Sequence, residues 1–142
     1  MKNLTHDEQS ALHICLEAHQ GQFRRDGVTP YSDHPKQVGQ MAKTSDEKIV
    51  AWLHDVVEDT DWTLQALLDQ GFSFYIVTAI DAITKRDGEA LDEYWARILE
   101  NKLATQVKIY DMTVNLLDSP TKKQIDKYTK GLNLLLTHQL NA

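Results

Sequence analysis

The chain has little of what staples, stiffens or interrupts a fold. Cys15 is the only cysteine among 142 residues, which excludes an internal disulfide and any dependence on an oxidising compartment. Three prolines (Pro30, Pro35 and Pro120) leave most of the chain free of helix breakers. No apolar run approaches the roughly 20 residues of a membrane span, and the opening MKNLTHDEQSAL lacks the continuous apolar stretch of a signal peptide. Alternating apolar and polar residues, the mark of half-buried strands, are missing as well. Positive charge is scarce: 15 Lys and Arg stand against 21 Asp and Glu, a formal net charge of -6. A surface that neutralises a nucleic-acid backbone needs the opposite balance. These absences predict a cytoplasmic protein that binds neither nucleic acid nor membrane. A small anionic ligand stays open, since it needs only a local basic cluster or a metal.

What is present suits a globular chain: 42% of residues are hydrophobic and 25% charged, enough for one core at this length. The apolar spacing is helical and predicts helices over 6–20, 32–43, 45–59, 63–70, 73–85, 89–101, 103–118 and 121–139. Gly21, Gly27, Pro30 and Pro35 mark a loop after the first helix, and Pro120 separates the last two. Ser32 or Asp33 can cap the second helix and Ser45 the third. The expectation is a single all-α domain over 1–142, built as a helical bundle.

Three segments carry chemistry. In KIVAWLHDVVEDT, an advance of about 100° per residue puts Ile49, Val50, Leu53, Val56 and Val57 on one side of a helix. His54, Asp55, Glu58 and Asp59 fall on the other. Three carboxylates and an imidazole on one arc repel unless a divalent cation sits among them, and both donor types suit first-row metals. A solvated acidic face is the plainer alternative, and the apolar setting of the His-Asp pair weighs against it. The segment LATQVKIYDMTVNLLD is apolar almost all round and should cross the core, yet Lys108, Asp111 and Asn115 share one narrow arc. An ionised Asp there must be paired or metal-bound. Either Lys108 and Asp111 form an internal pair, or Asp111 is a ligand with Lys108 and Asn115 facing a substrate. QFRRDGVTPYSDHP adds Arg24 and Arg25 in a flexible loop, their guanidinium forks matched to phosphate oxygens, followed by Tyr31 and a rigidly placed His34. His6, His13 and His138 lie outside these segments and read as surface or packing residues. Cys15 reads as a core thiol.

In this order, RRDGVTPYSDHP, LHDVVEDT, Thr84-Lys85 and KIYDMTVN resemble the hydrolase domain of RelA/SpoT homologues and the stand-alone small alarmone hydrolases, metazoan ones included. The resemblance covers roughly residues 10–118. It implies an HD-type bundle holding one manganese ion through His34, His54, Asp55 and Asp111. It implies that Glu58 and Asp59 activate the attacking water, and that Arg24, Lys108 and Asn115 surround a small anionic nucleotide. Arg25, Tyr31 and Lys85 complete the candidate substrate set. His19 matches a histidine common before the basic loop and is expected in a supporting position at most. The implied reaction is hydrolysis of the 3′-pyrophosphate of guanosine alarmones, (p)ppGpp to GDP or GTP plus pyrophosphate. The last motif departs from the family pattern: Val114 stands where a His is usual, and Leu116, Leu117 and Asp118 follow without the usual Arg. That departure keeps open a phosphatase for another nucleotide, such as the 2′-phosphate of NADPH, and a non-catalytic, metal-stabilised nucleotide-binding module. Glu58 and Asp59, which metal binding alone does not require, favour an enzyme. No synthetase region follows the motifs in this chain, so alarmone synthesis is not expected.

Overall fold

Threonine and serine caps set most of the helix starts. In the computed structural model, which describes residues 3–141, Thr5, Thr44, Thr63, Ser73 and Thr121 each accept a backbone N–H three residues on. Each such bond satisfies one of the donors a helix start leaves open. The resulting order is α1 (His6–Ala18), α2 (Asp33–Gln40), α3 (Ser45–Leu53), α4 (Val56–Asp59), α5 (Leu64–Asp69), α6 (Phe74–Ile83), α7 (Leu91–Leu99), α8 (Lys102–Leu116) and α9 (Lys122–Leu140). The described residues form no strand beyond a single Phe23–Pro30 bridge, and none of the helices is long and apolar enough to cross a membrane. The all-α expectation holds.

Two differences from the expected boundaries have physical causes. Thr44, not Ser45, caps α3: its Oγ1 accepts Glu47 N–H at 3.1 Å, while Glu47 Oε1 accepts Lys43 N–H at 2.9 Å. The single expected helix over 45–59 is also broken into α3 and α4 at His54-Asp55. There the His54 ring donates from Nδ1 to Ala51 O at 2.5 Å. That competes for the carbonyl that the Asp55 N–H would use in a continuous helix.

Helix α8 divides the interior. On one side its Leu103, Ala104, Val107, Tyr110 and Val114 join a core shared with α1, α2, α3 and α6. On the other, Ile109 and Met112 pack with Tyr94 and Ile98 of α7 and Leu135 of α9. A helix wedged between two apolar clusters has little wet face, which explains a sequence apolar almost all round. Its end is the exception: Leu117 is 82% exposed. Cys15 is buried, and burial pushes its thiol up to about 12, as befits an unreactive core residue.

Gly39 lets α2 approach α3. A Cβ built there would lie 2.5 Å from Trp52 Nε1, a rigid ring edge rather than a yielding chain end. Overpacking costs about 1–3 kcal/mol and outweighs the roughly 0.5–1 kcal/mol that Ala gains over Gly in a helix. Gly39→Ala should therefore lower the melting temperature and, by displacing the helix that carries His34, weaken divalent-cation binding. Calorimetry with and without cation reads both effects.

Candidate metal centre and its cleft

Three elements bring the histidines and aspartates together. The start of α2 supplies His34, the α3–α4 break supplies His54 and Asp55, and the middle of α8 supplies Asp111. His34, His54 and Asp111 are buried, and one donor atom from each lies within 4.8 Å of the others. His34 Nε2 is 2.6 Å from Asp111 Oδ1, and His54 Nε2 is 3.3 Å from the same oxygen. Asp55 falls outside this mutually close trio, although its Oδ2 is 3.0 Å from His54 Nε2.

The His54 tautomer makes the arrangement suited to a cation. Donation from Nδ1 to Ala51 O leaves Nε2 of the neutral ring with a bare lone pair, aimed among carboxylate oxygens. That buried nitrogen has no hydrogen-bond partner of acceptable geometry. A lone pair facing carboxylates is satisfied by a proton or by a metal ion. Without an ion the proton wins: burial opposes it, but the Asp55 charge and the Asp111 carboxylate raise the imidazole well above its ordinary value. Correspondingly, Asp111 is held well below the usual carboxylate range, burial being outweighed by Lys108 and the two histidines. The residues present thus fit a divalent cation.

Asp111 makes the internal pair and still turns its second oxygen toward the histidines. Its Oδ2 accepts Lys108 Nζ at 2.9 Å, while Oδ1 faces the histidines and accepts a long 3.3 Å bond from Asn115 Nδ2. Asp55 is oriented by the Tyr31 hydroxyl, which donates to its Oδ2 at 2.7 Å. Glu58 and Asp59 stand on the wall of a cleft of about 320 Å³ that His34, Asp55 and Asp111 also line. Partial desolvation there, then the charge of Asp55, pushes both carboxyl groups up from their ordinary values.

The candidate substrate residues divide. Arg24, Tyr31, Lys85, Lys108 and Asn115 line the cleft, and Arg25 does not. Arg25 instead donates to Asp118 O at 2.9 Å and to the Gln124 side chain at the start of α9. The basic loop is tied down rather than loose. The Asp26 carboxylate accepts the Val28 and Thr29 N–H groups, Arg24 N–H bonds Thr29 O at 2.8 Å, and the Arg24 guanidinium pairs with Asp118.

Four aromatic or charged lining residues escaped sequence reasoning: Tyr94, Trp95, Lys127 and Tyr128. They sit on amphipathic α7 and α9, where an aromatic at helical spacing looks the same whether it faces core or cleft. Arg97 was missed too. It grips Glu89 with two 2.7 Å bonds and donates to Asp81 O and Thr84 O, which fixes the turn carrying Lys85. A larger cavity, about 560 Å³ beside Glu47, Gln106 and His138, has no comparable donor cluster. Chemistry rather than size singles out the metal cleft.

Comparisons with known proteins bear on the fold and on the motif resemblance. No family model matches the chain. It is 28% identical to a probable GTP pyrophosphokinase of Mycobacterium leprae over 93% of its own length and 19% of the relative's. It is 29% identical to a guanosine-3′,5′-bis(diphosphate) 3′-pyrophosphohydrolase of Haemophilus influenzae over 89% of its length and 21% of that protein's. The chain thus spans about a fifth of these curated relatives. A solved structure of a metazoan ortholog of SpoT, described as hydrolysing ppGpp, superimposes with a TM-score of 0.76 at 22% identity, covering 97% of this chain and 88% of that one. The two chains share one fold. The relatives carry the sequence likeness that the four motifs suggested, and the solved structure carries the fold.

A bound cation stabilises the native state by about 2.7 kcal/mol at 100 times its dissociation constant. Manganese should therefore raise the melting temperature of the wild type and leave Asp111→Asn unmoved. Binding must also expel the His54 proton, whose folded pKa lies above the ordinary 6.5. Affinity should then strengthen from pH 6.5 upward, by at most about tenfold per unit for one released proton. A pH-independent affinity in titration calorimetry would contradict the ligand role of His54.

Proposed function

We propose that this chain is a manganese-dependent phosphohydrolase that removes the 3′-pyrophosphate of (p)ppGpp, leaving GDP or GTP. The observation that carries the reading is the pairing, in one cleft, of a buried His34–His54–Asp111 cluster with Glu58 and Asp59. The likeness to SpoT-type proteins supports the substrate class.

His34, His54, Asp55 and Asp111 would hold the ion, which supplies Lewis-acid polarisation of a phosphoryl oxygen and acidifies water. Glu58 or Asp59 accepts the proton of the attacking water, and partial desolvation, the larger cause of their raised pKa, favours that transfer. Lys108 is engaged by Asp111, so the cations free to meet substrate phosphates are Lys85 and Lys127, neither of which has a carboxylate partner among the described residues. Arg24 adds a third charge, partly balanced by Asp118. Trp95 and Tyr128 bring half-buried aromatic rings to the cleft lining for the nucleoside. A small anionic nucleotide is the matching ligand, and manganese suits a site of imidazole and carboxylate.

A phosphate- and pyrophosphate-release screen over ppGpp, NADPH and common nucleotides, with manganese, tests the assignment. Pyrophosphate from ppGpp is the expected result; turnover of another nucleotide alone would move the substrate. Glu58→Gln should keep its metal and lose roughly 10²–10⁴-fold in kcat. Full activity in a metal-loaded Glu58→Gln variant would pass the base role to Asp59. Arg24→Ala should cost about 10-fold in kcat/KM, the low end for a charge-assisted contact, because Asp118 already shares the guanidinium. Arg25→Ala, outside the cleft, should leave kcat/KM near the wild-type value. The reverse ranking would mean that the loop turns differently when substrate is bound.

A further inference from the structure

His19 ends α1 and is only 2% exposed, yet it ligates nothing and lines no part of the cleft. Its surroundings define its tautomer. Gln22 donates from Nε2 to the backbone carbonyl of Asp59 at 3.1 Å, which turns its Oε1 toward His19, 2.8 Å from the ring Nδ1. An amide oxygen only accepts, so Nδ1 carries the proton and Nε2 is a bare acceptor. That Nε2 is buried without a protein partner. Burying an unsatisfied ring nitrogen costs stability that an apolar residue of similar volume would not, so packing alone does not account for a histidine here. The ring also lies against Tyr31, centroids 4.9 Å apart, and Tyr31 in turn orients Asp55.

The target of this chain of contacts is α4, a single turn of four residues that ends at Asp59. A helix so short has little cohesion of its own and needs outside contacts to hold its last residue. Gln22 supplies one by bridging 37 positions along the chain. Resting on the base role assigned above to Glu58 or Asp59, we propose that His19 and Gln22 are positioning residues for Asp59: the His19 ring fixes the Gln22 amide, and Gln22 fixes the turn that presents the Asp59 carboxylate.

A double-mutant cycle on the full chain with manganese and ppGpp tests this. His19→Leu should lower kcat about 10-fold, the low end for residues that orient catalytic groups, with KM and bound manganese unchanged. His19→Asn, whose amide can donate from near the Nδ1 position, should recover most of the loss. In an Asp59→Asn background His19→Leu should add nothing, because its effect passes through Asp59. If Asp59→Asn is impaired and His19→Leu remains fully additive, the inference is overturned while the function stands. A silent Asp59→Asn variant overturns the Asp59 assignment and this inference together. Should His19→Leu fail to fold, Gln22→Leu carries the same cycle with the same two outcomes.

Discussion

A carboxylate in the middle of a core helix is the constraint around which this molecule is arranged. Asp111 sits on α8 between two apolar clusters, where an isolated charge would be neutralised rather than tolerated. Every polar group that reaches it does so to prevent that: Lys108 from the preceding turn, Asn115 from the next, and two imidazoles from other helices. The buried charge is thereby kept ionised, and an ionised carboxylate beside a bare imidazole nitrogen is what a divalent cation requires. The same residue therefore sets the demand on the fold and sits at the middle of the candidate metal site.

Meeting that demand fixes the neighbours. Helix α2 must come close enough to deliver His34, which is why Gly39 faces the Trp52 ring with no side chain between. Helix α3 must end at His54 so that the ring can hold its own backbone through Nδ1 and leave Nε2 to the site. The α7–α9 side has a different task. It lines the cleft with Tyr94 and Trp95 of α7 and with Lys127 and Tyr128 of α9.

Much of this was legible in the sequence, for identifiable reasons. Helical periodicity exposed the all-α plan, and the polar arc of Lys108, Asp111 and Asn115 was visible because it interrupts an otherwise apolar helix. The caps were harder: Thr44 and Ser45 are adjacent, and the reciprocal bond with Glu47 decides between them. The break at His54 had no signal at all, since neither Gly nor Pro marks it and its cause is a side-chain bond to the backbone. Tyr94, Trp95, Lys127 and Tyr128 were hidden by the likeness of cleft-facing and core-facing patterns. The pairing of Arg24 with Asp118 joins positions 94 apart, which no local pattern reports.

The break between α3 and α4 bears on how such a centre could be transplanted. Adjacent residues of a helix leave its axis about 100° apart, and both His54 and Asp55 keep helical backbone angles across the break. Their Nε2 and Oδ2 nevertheless come to 3.0 Å, with the His54 ring held by its Nδ1 bond to Ala51 O. A designer who grafted the His-Asp dipeptide onto a helix whose carbonyls are all taken would copy the letters and lose the ring orientation. The portable unit is the dipeptide together with an Ala51 carbonyl left free to accept.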